Sequence, residues 1–154
     1  MRTVISRPPA PAPGHPRHAA VRRRWLTAWL GLAGLGVANG IIREVAYADT
    51  VGDHAAHQLS TFTLIAMIAG YTWWLQRRWP HTSTAAAVRI GVLWVVMTVA
   101  FEFGFGHYVD GASWATLWAD YDITRGNLWI LVLLTIGVAP VLARRATEPS
   151  TKGD

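Results

Sequence analysis

The chain contains no cysteine. Disulfide exchange, thiol catalysis and cysteine-ligated zinc or iron–sulfur centres are therefore excluded. Charge is also scarce, with 15% of residues being Asp, Glu, Lys or Arg, against about a quarter in an average soluble domain. The short signatures of common catalytic sites are missing too. There is no Gly-x-Ser-x-Gly elbow, no HExxH and no phosphate-binding P-loop, so the chain carries no recognisable hydrolase, zincin or nucleotide motif. "GHYVDGAS" is glycine-containing but lacks the spacing of a phosphate cradle.

What is present is apolar. Of 154 residues, 52% are hydrophobic and nine are tryptophan. Tryptophan is favoured at the membrane–water boundary, where the ring is buried and its N–H stays wet. The length predicts one domain. Residues 1–24, with "RPPAPAPGHPRH" and Arg22–Arg24, have the composition of a disordered cytoplasmic tail. Four apolar segments follow at about 25–42, 59–75, 85–106 and 128–143, making a membrane domain over 25–145, and 146–154 is a short polar tail. A bilayer core of about 30 Å needs about 20 helical residues. Neither "WLTAWLGLAGLGVA" nor "LWILVLLTIGVAPVLA" has the polar face of a soluble helix. The expected fold is all-α, a four-helix transmembrane bundle.

Orientation follows from the basic residues. Apart from Arg43 and Arg125, all fourteen fall in the two tails or around the connection between the second and third segments. Apart from Glu148 and Asp154, all nine acids fall on the other side. The positive-inside rule then puts both termini in the cytoplasm of a bacterial inner membrane. The net charge of +5 is explained by topology and anionic lipid, with no need for nucleic acid. "RRRWL" and "AYA" at 46–48 imitate a cleaved twin-arginine signal, but Arg43 and Glu44 separate the apolar run from that site.

Small residues predict close helix packing through Gly36/Gly40, Gly34/Ala38, Ala66/Gly70 and Ala100/Gly104. Trp73, Trp74 and Trp79 would mark the inner rim, and Trp114, Trp118, Tyr121 and Trp129 the outer one. Residues 112–120 predict a short interfacial helix in the second outer connection, with Ser113 as its cap.

One carboxylate needs an explanation. Glu102 ends an apolar run from Ile90 to Phe101 broken only by Thr98. Measured from Arg89 at the inner rim, it lies about 20 Å up the helix axis, below the outer surface. A carboxylate at that depth needs a partner, a wet cavity or a proton. Asn39 and Arg43 share a face at the outer end of the first helix. His54, His57, Gln58 and Thr61 form a stripe on the second, and His107 and Tyr108 follow Glu102. These residues predict an outward-facing polar pocket walled by Phe101, Phe103 and Phe105 and lidded by Trp114 and Trp118, in which Arg43 pairs with Glu102. His54 and His57 are also weak candidates for a divalent metal, by their spacing alone.

The combination of "NGIIRE", "AAHQLST", "FEFGFGHY" and "ADYDITRGNLW" over residues 36–140 resembles a family of small, uncharacterised bacterial inner-membrane proteins with four helices. The resemblance implies topology and compartment and lends no activity. Three roles stay open at this level. The pocket could bind a small polar ligand or ion, and transport of it would require a dimer. The polar cluster could be a packing lock in a larger membrane complex. A metal-dependent membrane enzyme is the third.

Overall fold

A computed structural model describes the backbone of residues 16–119, 121–125 and 127–148, and the side chains of the same residues except 16–18 and 125. Residues 1–15 and 149–154 of the two expected tails, and Asp120, lie outside the described residues. Every regular element among those described is helical. They are α1 (Pro16–Ala46), α2 (Ala48–Val51), α3 (Asp53–Arg78), α4 (Thr84–Tyr108), α5 (Trp114–Ala119), a single 3₁₀ turn (Ile123–Arg125) and α6 (Trp129–Thr147).

The helices are longer than the apolar runs, because Ala, Arg and Gln extend a helix as readily as Leu does. α1 begins at Pro16, so residues 16–24 are helical and do not belong to a disordered tail. Proline is pre-organised for a first helical position and has no N–H to leave unpaired there. α3 begins at Asp53 and carries the whole "DHAAHQLST" stripe, following Gly52 at φ 83°, a conformation that favours glycine. α4 is capped by Ser83, whose Oγ accepts from the Ala86 N–H. Ser113 caps α5 in the same way, accepting from Thr116. Pro140 lies inside α6, which runs on to Thr147.

Three helical stretches are long and apolar enough to cross a membrane: Ala19–Ala46, Thr84–Tyr108 and Trp129–Thr147. α3 has the length, with 26 residues. Its hydroxyls, its polar start and its Gln76–Arg78 end keep it out of that set.

α6 packs against both α3 and α4, and α1 packs mainly against α3. The core between them holds Trp29, Leu32, Leu64, Ile68, Trp94 and Ile136. At the arginine-rich end, Trp25 is fully buried. Its indole donates to the Trp79 carbonyl at 2.9 Å, and its own carbonyl accepts from the Trp94 indole at 2.9 Å. One residue, through its side chain and its carbonyl, thus joins α1, the α3–α4 connection and α4.

Close helix approach occurs at other glycines than the spacing predicts. A Cβ on Gly91 would fall on the Gly137 carbonyl of α6, and one on Gly31 would meet the Tyr71 hydroxyl of α3. At Gly34, Gly36, Gly40, Gly70 and Gly104 an added Cβ meets nothing within 4 Å. The spacing finds faces where backbones could approach; it does not say which face turns inward. Gly91→Val is expected to lower stability by about 1–3 kcal/mol or more through overpacking. Gly40→Ala should be neutral or mildly stabilising. Thermal unfolding of the purified protein in detergent compares the two.

Candidate functional site

The last turns of α4 carry Phe101, Glu102, Phe103, Phe105, Gly106 and His107. Gly106 has no side chain, and Leu117 of α5 occupies the space, so close that a Cβ there would sit 2.6 Å from its methyl carbon. α5 thereby folds back over the end of α4. Phe103 meets Trp118 edge-on at 4.9 Å and Tyr121 at 5.7 Å. His107 stacks on Trp114 at 4.0 Å, and its Nδ1 lies 2.9 Å from the Ala112 carbonyl. A carbonyl only accepts, so Nδ1 carries the hydrogen.

Beneath this cap, Glu102 is half-buried. Its Oε2 accepts from the Tyr121 hydroxyl at 2.7 Å and from the Trp129 indole at 2.9 Å. A cavity of about 320 Å³ lies against it, lined by His57, the three phenylalanines, Gly106, Asp110, Leu117, Tyr121 and Trp129. A second space of about 230 Å³ continues towards the middle of the molecule between Trp29, Leu32, Gly36, Val37, Thr98, Val132 and Ile136. The two share Phe101, Glu102 and Trp129. The Thr98 hydroxyl is taken by the Trp29 indole at 3.0 Å, which leaves the second space apolar.

The expected polar cluster is only partly assembled. Glu102 and His57 line the cavity. Arg43 does not pair with Glu102. Its guanidinium holds Glu44 at 2.5 Å and donates to His57 Nδ1 at 3.0 Å, because α1 faces α3 here while Glu102 turns towards the start of α6. Asn39 is buried and donates to the Ser60 carbonyl at 3.0 Å, tying α1 to α3. His54 and Gln58 bond to each other at 3.0 Å on the exposed face of α3. Tyr108 is 80% exposed. His107 positions α5 and does not line the cavity. The histidine stripe thus splits, since His57 turns towards α1 while His54 turns outward. Among the described residues, no three His, Cys, Asp or Glu side chains converge to hold a metal.

Tyr121 and Trp129, which the sequence presents as rim anchors, and Asp110, to which it assigns no role, were the site residues hidden from sequence reasoning. The usable signal was that a half-buried indole N–H or phenol O–H needs an acceptor. A second cluster, at the arginine-rich end, also escaped it. His81 is 7% exposed and stacks on Trp25 at 4.1 Å. Its backbone N–H donates to the buried Gln76 amide oxygen at 3.1 Å. Nearby Arg144 donates to Thr84 at 3.0 Å and pairs with Glu148 at 2.6 Å. Burial, with the Arg144 charge adding to it, lowers the His81 pKa to about 4.

Comparison with known protein families, curated proteins and solved structures gives no match for this chain. The reading of the site therefore rests on its chemistry.

The depressed His81 pKa makes a pH prediction. The unfolded chain takes up this proton near the ordinary value of 6.5, and the folded chain only near 4. The neutral ring's contribution is present above pH 6.5 and is lost as pH falls towards 4. The unfolding temperature should drop across that interval, and His81→Phe should flatten the drop.

Proposed function

We propose that the chain is an integral protein of a bacterial inner membrane whose outer pocket binds a small polar ligand at Glu102. In this reading α1, α3, α4 and α6 all cross, and both termini lie on the cytoplasmic side. The three apolar helices support membrane insertion. The packing of α3 against α1 and α6 supports a fourth crossing. The gathering of Arg22–Arg24, Arg77, Arg78, Arg144 and Arg145 at one end supports the orientation.

The observation that carries the ligand reading is the Glu102 carboxylate against an aromatic-walled cavity of about 320 Å³. That volume falls in the range of small-molecule pockets. A packing lock is the second reading, favoured by the Tyr121 and Trp129 bonds to Glu102, which fasten the start of α6 to α4. The two separate by experiment. For a ligand site, Glu102→Gln keeps the unfolding temperature within a few degrees and loses a copurifying small molecule in native mass spectrometry. For a lock, Glu102→Gln, Tyr121→Phe and Trp129→Phe each lower stability, by about 1–3 kcal/mol per lost charged hydrogen bond, and no bound mass changes.

The absence of cysteine makes the topology directly measurable. Thr50→Cys and Val109→Cys should react with a membrane-impermeant maleimide in intact spheroplasts, while Thr82→Cys and Ala146→Cys should react only after lysis. Labelling of Thr50→Cys and Thr82→Cys from the same side would remove α3 from the set of spans.

A further inference from the structure

We infer that the cleft between the last turns of α3 and α6 is a second binding site, taking a phosphate-bearing anion on Gln76 and Arg77. It shares no lining residue with the cavity at Glu102 and does not depend on the ligand reading there. The cleft has a volume of about 530 Å³ and is lined by Trp73, Gln76 and Arg77 of α3, Pro80 of the connection, and Ala146 and Thr147 of α6. Gln76 decides which chemistry it can hold. The residue is 3% exposed, and its Oε1 accepts from the His81 backbone N–H at 3.1 Å. A backbone N–H only donates, so this bond fixes which branch of the amide is oxygen and leaves the NH₂ as the other. Among the described residues that NH₂ has no hydrogen-bond partner, and it is not fully enclosed either. The cleft that Gln76 lines is where an acceptor for it can sit.

Arg77 adds the charge. Its guanidinium lies over the Trp73 ring, 4.7 Å from the centroid. Stacking occupies the face of the guanidinium and leaves its N–H groups, which lie in its plane, to reach an oxyanion. An amide donor beside a full positive charge selects an anionic acceptor, and paired phosphate oxygens match the guanidinium fork. The negative C-terminal ends of α3 and α6 also meet here. Arg77, Arg78, Arg144 and Arg145 in their last turns offset them.

The source of the phosphate follows from the surface around the cleft. Along α6 the exposed side chains leading up to Ala146 are Leu134, Val138, Leu142 and Arg145, an apolar track that ends in a cation. On α3, Trp73 and Trp74 are 44% and 51% exposed. An apolar surface finished by indoles and arginines suits an acyl chain and its head group at the rim of a bilayer. The phosphate is then that of an anionic lipid. This choice of source, unlike the site itself, rests on the membrane reading above. A soluble phosphate ester would use the same donors and leave the apolar track unused.

The test uses the full-length chain in mild detergent and reads bound mass by native mass spectrometry. The probes are dioleoylphosphatidylglycerol, dioleoylphosphatidylcholine, oleate and glycerol phosphate. Phosphatidylglycerol should be retained about tenfold better than each of the others. Arg77→Gln should cut that retention about fivefold. Arg23→Gln makes the same charge change on an exposed residue of α1 outside the cleft, and should change it less than about twofold. Gln76→Glu keeps an oxygen for the His81 N–H and turns the donor into an acceptor, and should abolish retention. Ala146→Glu, at an exposed position of the cleft, should abolish it too. Unfolding temperatures close to wild type establish that the variants are folded, and the Arg77 and Ala146 variants decide the matter if Gln76→Glu is not. Equal losses in Arg77→Gln and Arg23→Gln, or full retention in Ala146→Glu, overturn the site and leave only diffuse attraction between a basic end and anionic lipid. Phosphatidylcholine held as well as phosphatidylglycerol overturns the anion, and oleate held as well overturns the phosphate. Glycerol phosphate held as well, and lost in Arg77→Gln, keeps the site and overturns the lipid as its source. The cysteine labelling above reads the membrane crossing separately, so its failure and the failure of this site are distinguishable.

Discussion

A carboxylate set below the end of an apolar helix has to be hydrogen-bonded, and the half of this molecule away from the arginine-rich end is organised around that requirement at Glu102. Its two described donors, Tyr121 and Trp129, come from chain beyond α5. To deliver them, α5 must turn back over α4. Gly106 makes room for that turn, while Phe103 and His107 provide the surface on which Trp114 and Trp118 lie. The cavity is what remains between the carboxylate and the covering segment. Satisfying the charge and enclosing the space are one arrangement, which is why a ligand site and a packing lock look alike until each is perturbed.

The opposite end is solved differently. There the polar atoms of large rings are spent on backbone carbonyls, as in the Trp25, Trp79 and Trp94 chain, and a neutral histidine is stacked into the gap. Among the described residues, His81 Nε2 and Arg144 Nε are buried at that end without a hydrogen-bond partner. The asymmetry gives the helices one knitted end and one end held through a covered pocket.

How much of this was legible in the residues varies with the physics involved. Long apolar runs specify helices, because buried backbone must bond to itself, and so the helical class and the prominence of Glu102 were readable. Phe101 and Phe105 lie one turn apart on α4, and Trp114 and Trp118 one turn apart on α5, so each pair was readable from helical periodicity; that Phe103 joins the wall, and that Leu117 and Tyr121 line the cavity where Trp114 and Trp118 do not, was not. The pairing of Arg43 was not. A long side chain chooses among acids in reach, and adjacent Glu44 is nearer than any helix-to-helix partner. The splitting of His54 from His57 depended on the rotation of α3, which a polar stripe leaves undetermined. His81 was invisible because its burial comes from Trp25, far away in the chain.

The bare glycines of α1 have a consequence of their own. Above Gly34, Gly36 and Gly40 the surface is hollow, with no side chain of the protein to fill it. In a bilayer such hollows do not stay empty, since acyl chains flow into them. Lipid tails then complete the packing of this helix. The solvent on that face is the membrane, so the stability of the α1 surface changes with the length and unsaturation of the surrounding tails even when no residue of the protein is altered.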